Sequence, residues 1–444
     1  MTPDRTNQTV RRVLTAGAGL LLTLNPAVAQ DRLNGFFLTS PVELSEGYAD
    51  GFVAAAKKYN DYETMLEGPT ISFLRTTHRS EFSLEYQPEF ETFARYGTFD
   101  SWNHSSTMRF THRINARWSL VMGNLLIATT DPTRALGNSL VLLPRGRYVQ
   151  DSFYAGGGYK IDGVTKLTFR LDSAVNTMQL PAPITGQLDH AANALSVTLD
   201  RSLTSTQNFS ATYSYLHFTP FNPEVSGDPT NVHVVNGVYS YNLGEYTVLR
   251  AAGGFVQGPQ NAVTWGVTAE NTLGRLWTAA GYQRYVGFFG GLAPATGPQA
   301  SDMPFAQGET PSSVYQVISF RAKGHVWGKF WMEAAAQRST DSGNDLTRGI
   351  NSKIGTVRVD YRLTDRVSIF ARADYYGQNV NRFIDSPYSE RRVSLGIAVN
   401  VARYYKPPDT SVKRRAPAEE VQQPAPVLTE DEAKPAQDSD ENEK

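Results

Sequence analysis

The stretch that most constrains this fold is Ser80 to Phe93, S-E-F-S-L-E-Y-Q-P-E-F-E-T-F. Phe82, Leu84, Tyr86, Pro88 and Phe90 hold its even positions, and Glu81, Ser83, Glu85, Gln87, Glu89 and Glu91 the odd ones. Strand side chains alternate between two faces, so one face here is apolar and aromatic and the other acidic. A soluble β-sandwich strand with its polar face in water runs to about 5–6 residues, whereas a tilted membrane strand takes about 9–11. This alternation is longer than either, and it recurs along the chain. It implies an all-β fold, a transmembrane antiparallel β-barrel with lipid outside and water inside.

The ends of the chain fit an exported protein. Arg5, Arg11 and Arg12 precede an apolar core from Val13 to Leu24, and Ala27-Val28-Ala29 reads as a cleavage site. Residues 1–29 are therefore expected to be a secretory signal peptide, its core too short to span a bilayer. Residues 30–405 are expected to form the barrel. Residues 406–444, rich in Pro, Ala, Gln and charge, have little apolar surface to bury and read as a disordered periplasmic tail. A formal net charge of −1 with 19% charged residues offers no basic field for nucleic acid, and with no cysteine there is neither a disulfide framework nor a thiolate metal site.

The period-two segments come in pairs. Tight polar turns are predicted near His78-Arg79, Asn115-Ala116, Asp162-Gly163, Ser202 to Thr206, Leu243-Gly244, Asn271 to Gly274, Lys323-Gly324 and Thr364-Asp365. Longer loops are predicted near 53–61, 94–104, 129–150, 176–191, 218–231, 256–261, 285–312, 338–349 and 378–390. Eight tight turns and nine longer loops make about eighteen strands between Thr39 and Arg403, with both termini periplasmic. An even count, tightly turned on one side and loosely looped on the other, is the pattern of bacterial outer-membrane barrels.

Several strands can be read face by face. Leu167, Phe169, Leu171 and Val175 oppose Lys166, Thr168, Arg170 and Asp172. Val367, Ile369, Ala371, Ala373 and Tyr375 oppose Ser368, Arg372 and Asp374, with Phe370 an apolar intruder on the polar side. Leu276 to Tyr285 and Val314 to Ala322 fit either register, and a one-residue slip would swap their faces. If the apolar faces meet lipid, the pore-lining candidates are Glu81, Glu85, Glu89, Glu91, Arg109, Arg113, Lys166, Arg170, Asp172, Lys329, Glu333, Arg358, Asp360, Arg372 and Asp374. Rings of charge are how pores select solutes, though the same residues also serve to solvate and brace an inner wall. Both signs occur, so strong ion selectivity is not implied. The long segment Val286 to Ser312, with Phe288, Phe289 and Phe305, fits either a constriction at the mouth or an exposed variable loop.

The stretch Ser40-Pro41-Val42-Glu43-Leu44-Ser45-Glu46-Gly47-Tyr48-Ala49-Asp50-Gly51-Phe52 resembles the opening strand of the β-barrel porin 2 family. Gly68 to Phe73 and the acidic strand from Glu81 fall in similar places. The likeness covers the barrel in layout but only these short motifs in sequence, and Ala49-Asp50-Gly51 departs from the family's Tyr-Asp-Asp-Asn-like loop. The resemblance implies an outer-membrane protein of the kind often associated with exopolysaccharide systems, and no catalytic residue. Separately, Ser394 to Val401 looks like the last-strand signal read by the barrel-assembly machinery, here lying before the tail.

No recognisable catalytic or metal motif appears. The seven histidines are scattered singly. His104 with Ser105 and Asp100 imitates a rim hydrolase, but a solvated loop histidine is the better reading, since a triad is defined by geometry. The chain therefore reads as a porin-like outer-membrane channel, not an enzyme, without cofactor or metal. It would sit in a lipid bilayer and pass small hydrophilic solutes or assist polysaccharide export. The alternatives are a plugged structural or adhesion barrel and, less favoured, an outer-membrane hydrolase.

Overall fold

A computed structural model describes residues 35–54, 57–131, 145–179, 189–221, 229–258, 261–287, 313–341, 351–379 and 387–401. The expected signal peptide, the tail and Phe288, Phe289 and Phe305 lie outside the described residues. The strands are β1 (Gly35–Leu38), β2 (Val42–Ala54), β3 (Lys57–Glu67), β4 (Ile71–Thr76), β5 (Ser80–Phe93), β6 (Ser101–Arg113) and β7 (Trp118–Thr129). They continue as β8 (Arg147–Lys160), β9 (Thr165–Gln179), β10 (His190–Ser202), β11 (Gln207–Pro220), β12 (Thr230–Leu243), β13 (Thr247–Gln257) and β14 (Ala262–Leu273). The last six are β15 (Leu276–Gly287), β16 (Ser313–Trp327), β17 (Phe330–Asp341), β18 (Asn351–Arg362), β19 (Val367–Gln378) and β20 (Tyr388–Val399).

All pairings are antiparallel, and β2 pairs with β20 from Val42↔Val399 to Asp50↔Arg391, closing the sheet into a barrel. The twenty strands form eighteen staves, because two staves are broken. β1 and β2 are interrupted at Pro41, and β3 and β4 at Pro69. Proline cannot donate to a ladder, so the chain leaves the sheet there. The two breaks lie side by side and join each other: Thr39 N donates to Thr70 O, and Thr70 N to Ser40 Oγ. β5 runs unbroken past both halves, pairing with β3 through Glu89–Phe93 and with β4 through Glu81–Tyr86.

The two faces are inverted relative to a water-soluble barrel. On β14, Val263, Trp265 and Val267 are 56%, 43% and 51% exposed, while Thr264, Thr268 and Glu270 are at most 3% exposed. On β20, Val393, Leu395 and Ile397 stand out while Arg392 is buried. Apolar outside, polar inside and no free edge are the conditions for spanning a bilayer with strands. The registers that were ambiguous in sequence are fixed by pairing: Trp277, Ala279, Tyr285, Val317, Arg321 and Lys323 share the inner side with Glu270.

The tight turns are held by their own side chains. Asn115 Oδ1 accepts from Arg117 N and Trp118 N, and Asp162 Oδ1 from Val164 N and Thr165 N. The Val164 amide is the main reason the Asp162 carboxyl is held below its ordinary pKa. One predicted turn is misplaced: Lys323-Gly324 lies inside β16, and the chain reverses at Gly328 and Lys329. Gly324, at φ +147°, sits beside an irregularity between His325 and Trp327, and a glycine in a strand marks such a kink as readily as a turn. Most predicted loops are also too long: β8 already starts at Arg147, β9 runs to Gln179, β11 to Pro220 and β17 to Asp341. Residues 53–54 and 57–61 belong to β2 and β3, and β6 starts at Ser101.

The face assignment has a direct test on β9. Leu171→Arg is expected to reduce assembly in the membrane sharply, since a lipid-facing charge near the midplane costs roughly 2–4 kcal/mol. Arg170→Gln should assemble normally. Outer-membrane yield of the folded form measures both, and equal yields would reverse the faces.

Candidate pore lumen

The acidic face of β5 turns inward and meets a basic column on β6. In register, Glu81 lies opposite Thr111, Ser83 opposite Arg109, Glu85 opposite Thr107 and Glu89 opposite Asn103. Asn103 Nδ2 donates to Glu89 Oε1 at 3.0 Å. Glu81, Glu85 and Arg109 are exposed. Arg113 is at the short-turn rim, where its guanidinium reaches the His78 carbonyl. Lys166 is likewise near a short turn, its side chain lying over Gly158. Arg170 pairs with Asp172 at 2.6 Å and stacks on Tyr154 at 4.3 Å; a side chain at Gly123 would collide with that tyrosine ring.

A second group of candidates sits where the sheet closes. Arg358 donates to both oxygens of Glu43 at 2.8 Å and to Asp360 at 2.9 and 3.0 Å. Glu43 is on β2 and Arg358 on β18, with β20 and β19 between them, so this bond reaches across the inner wall. The Arg358 guanidinium also stacks on Phe370 at 4.2 Å, and the Phe370 ring occupies the space left by Gly396. The apolar intruder is thus a platform for an arginine. Arg372 pairs with Asp374 at 2.9 Å, while Arg321 pairs with Glu333 and Arg250 with Glu270. Lys329 is in the tight turn itself, and with Trp331, Glu333, Arg358 and Arg362 it lines a cavity of about 260 Å³ at the short-turn mouth.

Three of the buried charges, Asp131, Arg145 and Glu390, are ones the sequence reading put in loops. Asp131 follows β7 and Arg145 precedes β8. Arg145 donates to both oxygens of Glu91, at 2.9 and 2.7 Å, and lies 3.3 Å from Asp131. Asp131 is in turn 2.5 Å from Arg392 on β20, which pairs with Glu390. Glu91, Asp131 and Glu390 are at most 1% exposed, and Arg145 and Arg392 6% and 8%. The two ends of the β7–β8 connection are therefore docked against the inner wall from β5 to β20. Phe52 and Phe93 flank the Arg145 guanidinium at 5.1 and 4.7 Å. Phe52 reaches that position because the ladder slips between Asp50 and Phe52. Gly51, at φ +84° and with a carbonyl where its Cβ would stand, permits the slip.

The wall of β9–β14 is different. Ala174, Ala192, Ala194, Leu216, Phe218, Val232, Val234, Val256 and Ala262 form one buried cluster, on the inner side by register. The hydrolase imitation is not assembled: His104 turns outward, its Nδ1 bonded to Tyr86 Oη at 2.8 Å, and Ser105 turns inward. Among the described residues no group of three His, Asp or Glu is placed to hold a metal.

The fold and lumen define a membrane-spanning β-barrel with a charged, ion-paired interior. No family model matches the chain, and neither does any curated protein. Among solved structures it is similar to Pseudomonas aeruginosa OpdL (11% identity, TM-score 0.42, covering 81% of this chain and 98% of that one). It is also similar to Pseudomonas aeruginosa OccK2 (OpdF) (11%, 0.45, 82% and 99%) and Acinetobacter baumannii OccAB4 (9%, 0.45, 84% and 99%). At such values these likenesses bear on neither solute nor site.

Arg145→Ala would remove the bidentate cation from the buried Glu91 carboxylate and one of the two arginines at Asp131, a loss on the order of 3–5 kcal/mol. The folded, heat-modifiable band should then disappear at a lower temperature. Adding Glu91→Gln should restore part of the loss. Unchanged melting of the single variant would show that the network holds nothing in place.

Proposed function

We propose that this chain is a bacterial outer-membrane channel of porin type that passes small hydrophilic solutes. One observation carries the reading: a sheet closed on itself, apolar outside, encloses a polar, charged interior. The secretory leader expected at residues 1–29 and the tight turns on one side support a periplasmic position for both termini. The outward row Leu395, Ile397 and Val399 on the closing strand supports recognition of Ser394 to Val401 by the barrel-assembly machinery. Assistance to polysaccharide export rests on the resemblance around Ser40 to Phe52 and is the finer form of the same proposal.

A narrowed or plugged barrel is the second reading, favoured by the Asp131 and Arg145 ends docked inside. Single-channel recording in planar bilayers separates the two. An open pore gives discrete conductance steps; their complete absence would favour the plugged form.

Charges that tune such a pore should be the unpaired, exposed ones, and charges that brace it the buried, bonded ones. Glu91 and Glu89 are held by Arg145 and Asn103, while Glu81 and Glu85 stand exposed beside Arg109. In the double variant Glu81→Gln, Glu85→Gln, reversal potentials across a salt gradient should shift toward anions, because Arg109 is left uncompensated. The shift should shrink as the screening length falls from about 10 Å at 0.1 M salt to about 3 Å at 1 M. An unchanged potential with intact conductance would place these glutamates off the conducting path.

A further inference from the structure

Arg338 and Lys353 are direct cross-strand partners on β17 and β18. Both are exposed, and both belong to the outer face, since Ser339 and Ser352 beside them are buried inside and bonded to each other. Like charges directly opposite in a ladder repel, and nothing in the local sheet offsets these two. The flanking partners are Ile318 on β16 and Gly377 on β19. The neighbours on the same face are Ala336, Thr340, Asn351 and Gly355. None is acidic, and among the described residues neither cation has an ion pair.

Their height says what would neutralise them. The ring pair Phe330–Tyr361, 4.9 Å apart, marks the short-turn edge of the outer wall. Arg338 and Lys353 are each eight positions further along their strands. At about 3.3 Å per residue and a tilt of about 40°, that is roughly 20 Å higher, near the far edge of an apolar band about 25 Å tall. Just below the cations the wall is apolar and open: Ile318, Phe320 and Val357 are 57%, 46% and 45% exposed. Beside Lys353, Gly377 leaves a gap over which Tyr375 places its hydroxyl. Two cations and a phenol above a greasy strip fit an amphiphile with an anionic head and acyl chains.

We propose that Arg338, Lys353 and Tyr375 form a binding site for the phosphate group of an acylated, phosphorylated glycolipid of the outer leaflet, the lipid A class. The acyl chains would lie along Ile318, Phe320 and Val357. The proposal rests on the outer-membrane orientation above, with the long connections outside, but not on conduction.

The test uses the full-length protein in neutral detergent and follows its unfolding temperature. Diphosphoryl lipid A should raise that temperature, and lipid A stripped of phosphate should not. The variant Arg338→Gln, Lys353→Gln should be at least as stable as wild type without lipid, because a repulsion is gone. It should bind diphosphoryl lipid A at least about tenfold more weakly and lose the rise. Arg338→Lys, Lys353→Arg should keep both, which separates charge from packing if the Gln variant folds poorly. An equal rise in the Gln variant, or with phosphate-free lipid, overturns the site. An equal rise with phosphatidylglycerol overturns the glycolipid assignment. Single-channel conductance of the Gln variant should match wild type, so a barrel that conducts nothing and a barrel that binds no lipid are distinguishable failures.

Discussion

Everything in this structure follows from one constraint: in a bilayer no backbone N–H or C=O can be left to water. An open sheet leaves two such rows, so β2 must find β20, and the chain must be long enough and twisted enough to bring them together. The broken staves obey the same rule. Pro41 and Pro69 each remove a donor, and the chain answers by setting both interruptions beside each other, where Thr39, Ser40 and Thr70 bond across the gap. Pro88 on the neighbouring stave contributes its carbonyl to Gly68 N at 2.8 Å, closing the account on that side.

Closure then determines the chemistry of the interior. Inner side chains from staves far apart in sequence are pressed into a shared space, where an unpaired charge costs far more than a paired one. Glu43 and Arg358, separated by 315 positions, become bonded neighbours, and Asp131 lies between Arg145 and Arg392. Such pairs act as struts on the wall. They also cancel much of the field that the same charges would set up unpaired.

How much of this could be read beforehand depends on the range of the interaction. Alternation is local, so the outward set Phe169, Leu171 and Val175 and the inward set Arg170 and Asp172 are visible in the sequence. So are seven of the eight tight turns, three of them capped by their own side chains at Asn115, Asp162 and Thr364. The eighth was misread because Gly324 serves a kink, while Gly328, at φ +53°, serves the turn. The buried network was illegible for another reason. Asp131 and Arg145 sit beyond strand ends that composition blurs into loops, and nothing near them in sequence announces Glu91 or Arg392 as a partner. Phe52 was misleading too: alternation from Ala49 points it outward, and only the slip at Gly51 turns it onto Arg145.

The same slip ties the inner network to the outer seam. Gly51 lies against the Ser389 carbonyl, one residue from Glu390 and three from Arg392, and its own amide is taken by Asn60 Oδ1. A side chain at position 51 would have to displace β20 backbone, and with it Arg392, which holds Asp131, and its partner Glu390. The point where the barrel closes is therefore also the point where the β7–β8 connection is anchored. In a soluble fold a close-packed glycine at a seam would be a local matter. Here closure and lumen share it, because the seam brings the first and last staves together and, among the described residues, joins charges as far apart in sequence as Asp131 and Arg392.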